Sequence, residues 1–149
     1  MLVQQRTIKQ TVSMSGVGLH TGGICAMTFK PAPEDFGIRF KRIDLGGAPE
    51  VPALVDHVVD IARGTTIAIG EARVHTVEHV LAALVGLQID NCLIELDSNE
   101  PPIGDGSAKP YVDILLHAGF ERQNAPKDYL IIDQPVEYHN EAKGVDIVA

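Results

Sequence analysis

The stretch TVEHVLAALVGLQIDNCLIELD, residues 76–97, contains the two periodicities that decide the fold class. Its first ten residues carry apolar side chains at helical spacing, with Thr76 as the expected N-cap and Gly86 as the expected end of the helix. Residues 91–97 form a short apolar run of the kind that predicts a strand. The stretch therefore predicts a helix that leads directly into a strand.

Further strands and a second helix are expected on both sides of this stretch. Five segments have the β-branched or alternating composition of strands: residues 5–14, 24–30, 37–43, 51–61 and 65–74. The first two are expected to pair around the glycine-rich loop 15–23, and the fifth folds back near Gly70. A second helix is predicted over residues 108–118, with Ser107 as its N-cap and Tyr111 on its apolar stripe. These elements predict an α+β fold, a two-layer sandwich of a β-sheet with two helices.

The composition is that of an ordinary globular protein and excludes several functional classes. Hydrophobic residues make up 45% and charged residues 21% of the 149 positions. The formal net charge is −8 without a basic cluster, so nucleic acid is not an expected partner. The sequence has no apolar run of membrane-spanning length and no recognisable signal peptide. Cys25 and Cys92 lack CxxC spacing, which predicts buried free thiols in a reducing compartment and hence a cytoplasmic protein.

The last part of the sequence changes character. ERQNAPKD, residues 121–128, is polar, contains a proline and is expected to be a linker. A new strand pattern starts at Tyr129, and the sequence stops within such a pattern at DIVA. We expect this chain to be the front part of a longer protein.

The first predicted helix carries the residues with the clearest chemistry. His75 and His79 are four positions apart and Glu78 precedes the second, which is the H-x-x-E-H pattern of inverted zincins. In that pattern one continuous helix aims both imidazoles at a zinc ion. If Thr76 is the N-cap, His75 lies before the helix and this geometry fails. One histidine ligand beside a carboxylate is then the more economical arrangement.

The two faces of this helix support a functional interpretation. The expected core face is apolar: Val77, Val80, Leu81, Leu84 and Val85. The opposite face lacks the long charged side chains of a solvated surface: Glu78, His79, Ala82 and Ala83. We expect protein or a ligand to cover it. Three interpretations stay open, namely a zinc hydrolase with one histidine ligand here, an inverted-zincin peptidase, and a non-catalytic module with an interface at this face.

Four motifs occur in order along the chain: SGVGLHTG at 15–22, RGTT at 63–66, VHTVEHVLAAL at 74–84, and DNCLIELDSNEPPIGDGSA at 90–108. Together they resemble the zinc-dependent UDP-3-O-acyl-N-acetylglucosamine deacetylase family of lipid A biosynthesis, over essentially the whole chain. The resemblance implies two similar domains, each with two helices on a sheet, and an active site between them. Residues 1–125 would form the first domain, and residues 126–149 a linker and the start of a second, truncated domain.

The resemblance also implies a site and a reaction. Glu78 would be the general base, His79 a ligand of the Zn²⁺ cofactor, and His20, Thr65 and Thr66 would line the cleft for the UDP-sugar acyl substrate. Two further zinc ligands would come from an H-x-x-x-D motif in the second domain, and this motif does not occur in the 149 residues. The expected products are acetate and a free amine, and the expectation is that this part is inactive alone.

Overall fold

The computed structural model describes residues 3–149, which form two α-helices, one short 3-10 helix and twelve strands. The helices are α1 (Glu78–Gly86), α2 (Lys109–Ala118) and the 3-10 helix Val55–His57. The strands are β1 (Gln4–Ile8), β2 (Val12–Val17), β3 (Ile24–Pro31), β4 (Ile38–Arg42), β5 (Glu50–Pro52), β6 (Val58–Asp60), β7 (Thr66–Ile69), β8 (Ala72–Val74), β9 (Cys92–Leu96), β10 (Phe120–Pro126), β11 (Glu137–Asn140) and β12 (Val145–Val148). Between residues 3 and 149, no helix has the length and apolar character needed to cross a bilayer.

The largest sheet has five strands in the order β2-β3-β9-β4-β5. Its middle strand, β9, runs antiparallel to β3 and parallel to β4. Alternate side chains of these strands enter the core, where Phe29, Phe40 and Ile94 are fully buried. Leu84 of α1 and Leu115 of α2 belong to the same core. The predicted α+β sandwich of two helices and a sheet is therefore confirmed.

Two predicted hairpins are confirmed, and two long predicted strands are divided. β2 and β3 pair around the glycine-rich loop, and β7 and β8 pair across Gly70, whose positive φ of 56° suits glycine. The segment 5–14, predicted as one strand, contains parts of β1 and β2, which lie in different sheets. The segment 51–61 is interrupted by the 3-10 helix between β5 and β6. Composition alone does not show such breaks, because both halves keep a strand-like pattern.

The linker predicted at residues 121–128 is wrong for most of its length. Residues 120–126 form β10, which pairs antiparallel with β1 from Ile8↔Phe120 to Gln4↔Pro126. Most β10 side chains are exposed or half-buried, which explains the polar composition of this two-stranded sheet. A further hairpin, β11–β12, follows. The division into residues 1–125 and 126–149 stays a prediction.

The first helix begins one residue later than predicted. Thr76 has a positive φ of 54°, and its hydroxyl donates to Glu100 Oε1 at 2.7 Å instead of capping the helix. Val77 precedes the helix without a side-chain cap, and Glu78 is the first helical residue. The predicted N-cap is therefore wrong, because a residue distant in sequence binds the threonine hydroxyl.

The buried face of α1 is also rotated from the predicted one. Val80, Ala83 and Leu84 are buried, whereas Val85, predicted to face the core, is 75% exposed. These three buried positions have the i, i+3, i+4 spacing of one helix face. Hydrophobicity alone favours valine over alanine for the core, but burial follows the position on the helix. Glu78 and His79 are half-buried.

The second helix follows its prediction more closely. Tyr111, Leu115 and Ala118 are buried along one stripe. The Ser107 hydroxyl accepts a hydrogen bond from the Lys109 N–H at 3.1 Å, although the residue that directly precedes the helix is Ala108. The start of α2 is thus stabilised locally, by residues adjacent in sequence.

Candidate functional site

Glu78 is held at the first position of α1 by the segment that precedes β7. Its Oε2 accepts a hydrogen bond from the Thr65 N–H at 2.9 Å. The Thr65 carbonyl in turn accepts one from the Val77 N–H at 3.2 Å. Both the N–H and the carbonyl of Thr65, in the R-G-T-T segment, are therefore hydrogen-bonded to the start of the helix. This pairing fixes the carboxylate of Glu78 relative to the backbone at Thr65.

A cavity of about 250 Å³ lies beside this contact. Its walls include His20 from the glycine-rich loop, Arg63 and Gly64 from the R-G-T-T segment, and Thr66 and His75. The His20 Nε2 lies 3.0 Å from the Arg63 carbonyl oxygen. Since a carbonyl oxygen only accepts hydrogen bonds, His20 carries its proton on Nε2 in this contact. The cavity is therefore lined by polar groups from three segments of the chain.

Gly64 separates the groups around the cavity. A Cβ atom at this position would lie 3.1 Å from Glu78 Oε1, 3.6 Å from Thr76 Oγ1 and 3.7 Å from His20 Nε2. The first distance is shorter than ordinary van der Waals contact. The missing side chain thus leaves room between the carboxylate of Glu78 and the ring of His20.

The two histidines of the H-x-x-E-H pattern have different surroundings. His79 follows Glu78 in the first turn of α1. His75 precedes the helix, and its Nδ1 lies 3.0 Å from Thr66 Oγ1. Within residues 3–149, no three His, Cys, Asp or Glu side chains converge as a metal site would require. The inverted-zincin geometry therefore lacks the continuous helix that it needs.

The structure brings together four of the five residues singled out from the sequence. His20 and Thr66 line the cavity, while Thr65 and Glu78 are hydrogen-bonded beside it. His79 is adjacent to Glu78 in the chain but is not part of the described cavity wall. Their catalytic, metal-binding and substrate-binding roles stay predictions.

Glu100 is a polar residue of this region to which the sequence reading assigns no role. It is fully buried, and its carboxylate accepts hydrogen bonds from two loops. The donors are the His20 N–H at 3.0 Å, the Thr21 N–H at 2.8 Å, and the Thr21 and Thr76 hydroxyls at 2.7 Å each. Burial raises the pKa of Glu100, but the hydrogen bonds from Thr76, Thr21 and His20 outweigh it and lower the pKa to about 2. The one sequence signal is an acidic residue in the otherwise uncharged stretch SNEPPIG.

The two cysteines have the surroundings expected of unreactive thiols. Cys25 and Cys92 are both free and fully buried. Burial raises the pKa of each thiol to about 12, so both stay protonated near neutral pH. Neither cysteine is therefore a candidate nucleophile or metal ligand in this state.

Comparison with known proteins gives a consistent family. The family model for UDP-3-O-acyl N-acetylglycosamine deacetylase (LpxC) matches residues 5–149. A bifunctional enzyme LpxC/FabZ of Chlorobaculum tepidum is 58% identical over 149 residues, which is 100% of this chain and 32% of the relative. A UDP-3-O-acyl-N-acetylglucosamine deacetylase of Anaeromyxobacter sp. is 54% identical over 133 residues, covering 89% of this chain and 43% of the relative. The corresponding enzyme of Coxiella burnetii is 44% identical over 144 residues, which is 97% of this chain and 48% of the relative.

These relatives cover 89% to 100% of the chain, but the chain covers only part of each relative. The chain corresponds to between 32% and 48% of the length of these three proteins. The family match nevertheless includes the glycine-rich loop, the R-G-T-T segment, the start of α1 and the stretch around Glu100. The chain belongs to the UDP-3-O-acyl N-acetylglycosamine deacetylase family.

Proposed function

We propose that this chain supplies the general base and one metal ligand of a zinc-dependent deacetylase. The proposed reaction removes the acetyl group from UDP-3-O-acyl-N-acetylglucosamine in lipid A biosynthesis, in the cytoplasm. The observation that supports it most directly is the Glu78 carboxylate, which the Thr65 N–H holds at 2.9 Å in the residue before His79. A carboxylate fixed next to a potential ligand, beside a polar cavity, is suited to proton transfer from water.

The residues of this chain would have separate roles in the reaction. Glu78 takes a proton from the attacking water and delivers one to the departing amine nitrogen. His79 offers a neutral imidazole nitrogen as ligand. Thr66 and His20 present polar groups to the substrate from different segments of the cavity wall. Zn²⁺, when bound, would supply Lewis acidity toward the amide carbonyl and toward water.

The donor set of this chain fits one part of such a metal site. His79 would be one ligand, and two more would come from outside residues 3–149, since no three candidate ligands converge within them. A second domain of the same protein is the proposed source. On this proposal the chain alone binds zinc weakly and does not hydrolyse the substrate.

The test joins these 149 residues to the remaining residues of the Chlorobaculum tepidum relative, which aligns with the whole chain. Acetate release from UDP-3-O-acyl-N-acetylglucosamine and zinc content are measured for the parent, Glu78→Gln and His79→Ala. Glu95→Gln is the control, because Glu95 forms a salt bridge with Lys30 in the large sheet. We expect Glu78→Gln to lower kcat by about 100-fold or more with zinc retained, and His79→Ala to lose zinc. Unchanged turnover in Glu78→Gln would refute the proposal.

A further inference from the structure

We propose that Glu100 is a positioning residue that links the glycine-rich loop to the start of α1. This link fixes the positions of His20 and Glu78 relative to each other beside the cavity. This inference rests on the proposed function for its catalytic consequence. Its structural content, a link between two segments of the site, can be tested independently of activity.

The first argument is the choice of partners. Glu100 accepts hydrogen bonds from His20 and Thr21 in one segment and from Thr76 in another, about 80 and 24 residues away in sequence. The approach is close, because a Cβ atom on Gly18 would lie 2.5 Å from Glu100 Oε2. The glycine at position 18 is therefore required for the carboxylate to reach the loop.

The second argument is the cost of separating these partners. Among residues 3–149, no Lys or Arg forms a salt bridge with Glu100, so hydrogen-bond donors alone compensate its buried charge. If either segment moved away, a carboxylate that is fully buried in this structure would lose the donors that compensate its charge. The charge thus penalises any displacement of the loop or of the turn at Thr76.

The third argument is that the two segments bound by Glu100 carry His20 and lie next to Glu78. The loop carries the His20 ring, whose Nε2 contacts the Arg63 carbonyl. The turn carries Thr76, two residues before Glu78, in a positive-φ conformation that is uncommon for threonine. The hydrogen bond from the Thr76 hydroxyl to Glu100 compensates that conformation and sets where α1 begins. Because Glu100 itself is fully buried, it acts through these neighbours and not on the substrate.

The experiment compares the 149-residue chain with Glu100→Ala, Glu100→Gln, Thr76→Val and the control Glu95→Gln by NMR. Amide hydrogen exchange is read at His20 and Thr21, with Met27 in the large sheet as internal reference. In Glu100→Ala we expect exchange at His20 and Thr21 to accelerate by about tenfold relative to Met27, and the His20 ring resonances to shift. In Glu100→Gln, exchange at His20 and Thr21 should be faster than in wild type but slower than in Glu100→Ala. The amide oxygen of the glutamine can still accept hydrogen bonds from the loop, and its NH₂ can donate to the Thr76 hydroxyl.

The outcomes discriminate between positioning and general stabilisation. Unchanged exchange at His20 and Thr21 in Glu100→Ala, or equal acceleration at all three amides, would overturn the proposal. If Glu100→Ala does not fold, Thr76→Val decides. It should accelerate exchange at Leu81, the first amide bonded back to Val77 in α1, and leave Thr21 protected. No change at Leu81 would again overturn the proposal.

The catalytic consequence is measured in the two-domain enzyme described above. Thr76→Val is expected to lower kcat by about tenfold with a smaller change in KM, since it displaces Glu78 and leaves the proposed substrate contacts of Thr66 and His20 in place. An equal rise in KM with kcat unchanged would contradict positioning of Glu78. If Glu78→Gln is fully active, the proposed function fails, whereas the amide exchange results still decide the role of Glu100.

Discussion

Acidification should cost this protein more folding free energy than it costs a variant without the Glu100 carboxylate. The pKa of Glu100 is lowered from its ordinary 4.5 to about 2, because burial is outweighed by hydrogen bonds from Thr76, Thr21 and His20. A carboxyl group with a depressed pKa in the folded state stabilises the fold above its unfolded-state pKa. That contribution is fully present above pH 4.5 and is lost as the pH falls toward 2.

The magnitude follows from the size of the shift. A change from 4.5 to about 2 corresponds to roughly 3 kcal/mol of folding free energy at full conversion. Two of the donors, His20 and Thr76, line an open cavity, so solvent screens part of this interaction. We therefore expect about 1–2 kcal/mol to be lost between pH 5 and about pH 2 through this one group.

The assay is urea denaturation followed by circular dichroism at several pH values between 6 and 2. The wild-type chain should lose more unfolding free energy over this range than Glu100→Gln, which has no carboxyl proton to bind. Asp44 and Asp105 also have lowered pKa values, through hydrogen bonds from Arg42 and Ser107 respectively, and titrate in both proteins. If wild type and Glu100→Gln lose the same unfolding free energy between pH 6 and 2, the reasoning is refuted.

Three further predictions follow from local contacts. Gly64→Ala should destabilise the fold by about 1–3 kcal/mol, because its Cβ would lie 3.1 Å from Glu78 Oε1; a midpoint equal to wild type in urea would contradict this. Asn91→Ala should cost about 1–3 kcal/mol in the same assay, since the buried amide of Asn91 donates two hydrogen bonds and accepts one. Hydrogen bonds to Asp146 and then Glu137 raise the pKa of His139, so its stabilising effect is present below pH 6.5 and lost as the pH rises through the folded-state pKa. An NMR titration should therefore show Asp146→Asn lowering the His139 midpoint.

Local signals predict the parts of this fold that depend on neighbouring residues. Alternating residues and a glycine turn predict the β7–β8 hairpin, and the contacts there are within ten residues. The stripe of α2 is likewise set by residues adjacent in sequence. β10 is different: most of its side chains are polar, and it forms a strand because β1, more than 100 residues earlier, pairs with it. No pattern within residues 120–126 contains that information.

The same distinction applies to the candidate site. Glu78 and His79 stand out because they occupy one helix turn in a short motif, and the motif resemblance assigns them roles. The start of that helix was mispredicted because the Thr76 hydroxyl binds Glu100, 24 residues away, and not the helix N-terminus. The only local signal of Glu100 is its charge within the otherwise uncharged stretch SNEPPIG, and its donors come from loops that only the folded chain brings together. Residues that organise a site over long distances are therefore the ones that sequence patterns miss.

The central position of β9 has a consequence for synthesis on the ribosome. β9 is the common partner of β3 and β4, yet it is made some 60 and 50 residues after them. Until Leu96 has left the exit tunnel, the β2–β3 hairpin and the β4–β5 hairpin have no strand to join them, and both present unpaired edges. A nascent chain that pauses before Cys92 therefore exposes two strand edges at once, and this is the stage at which edge-to-edge aggregation is expected.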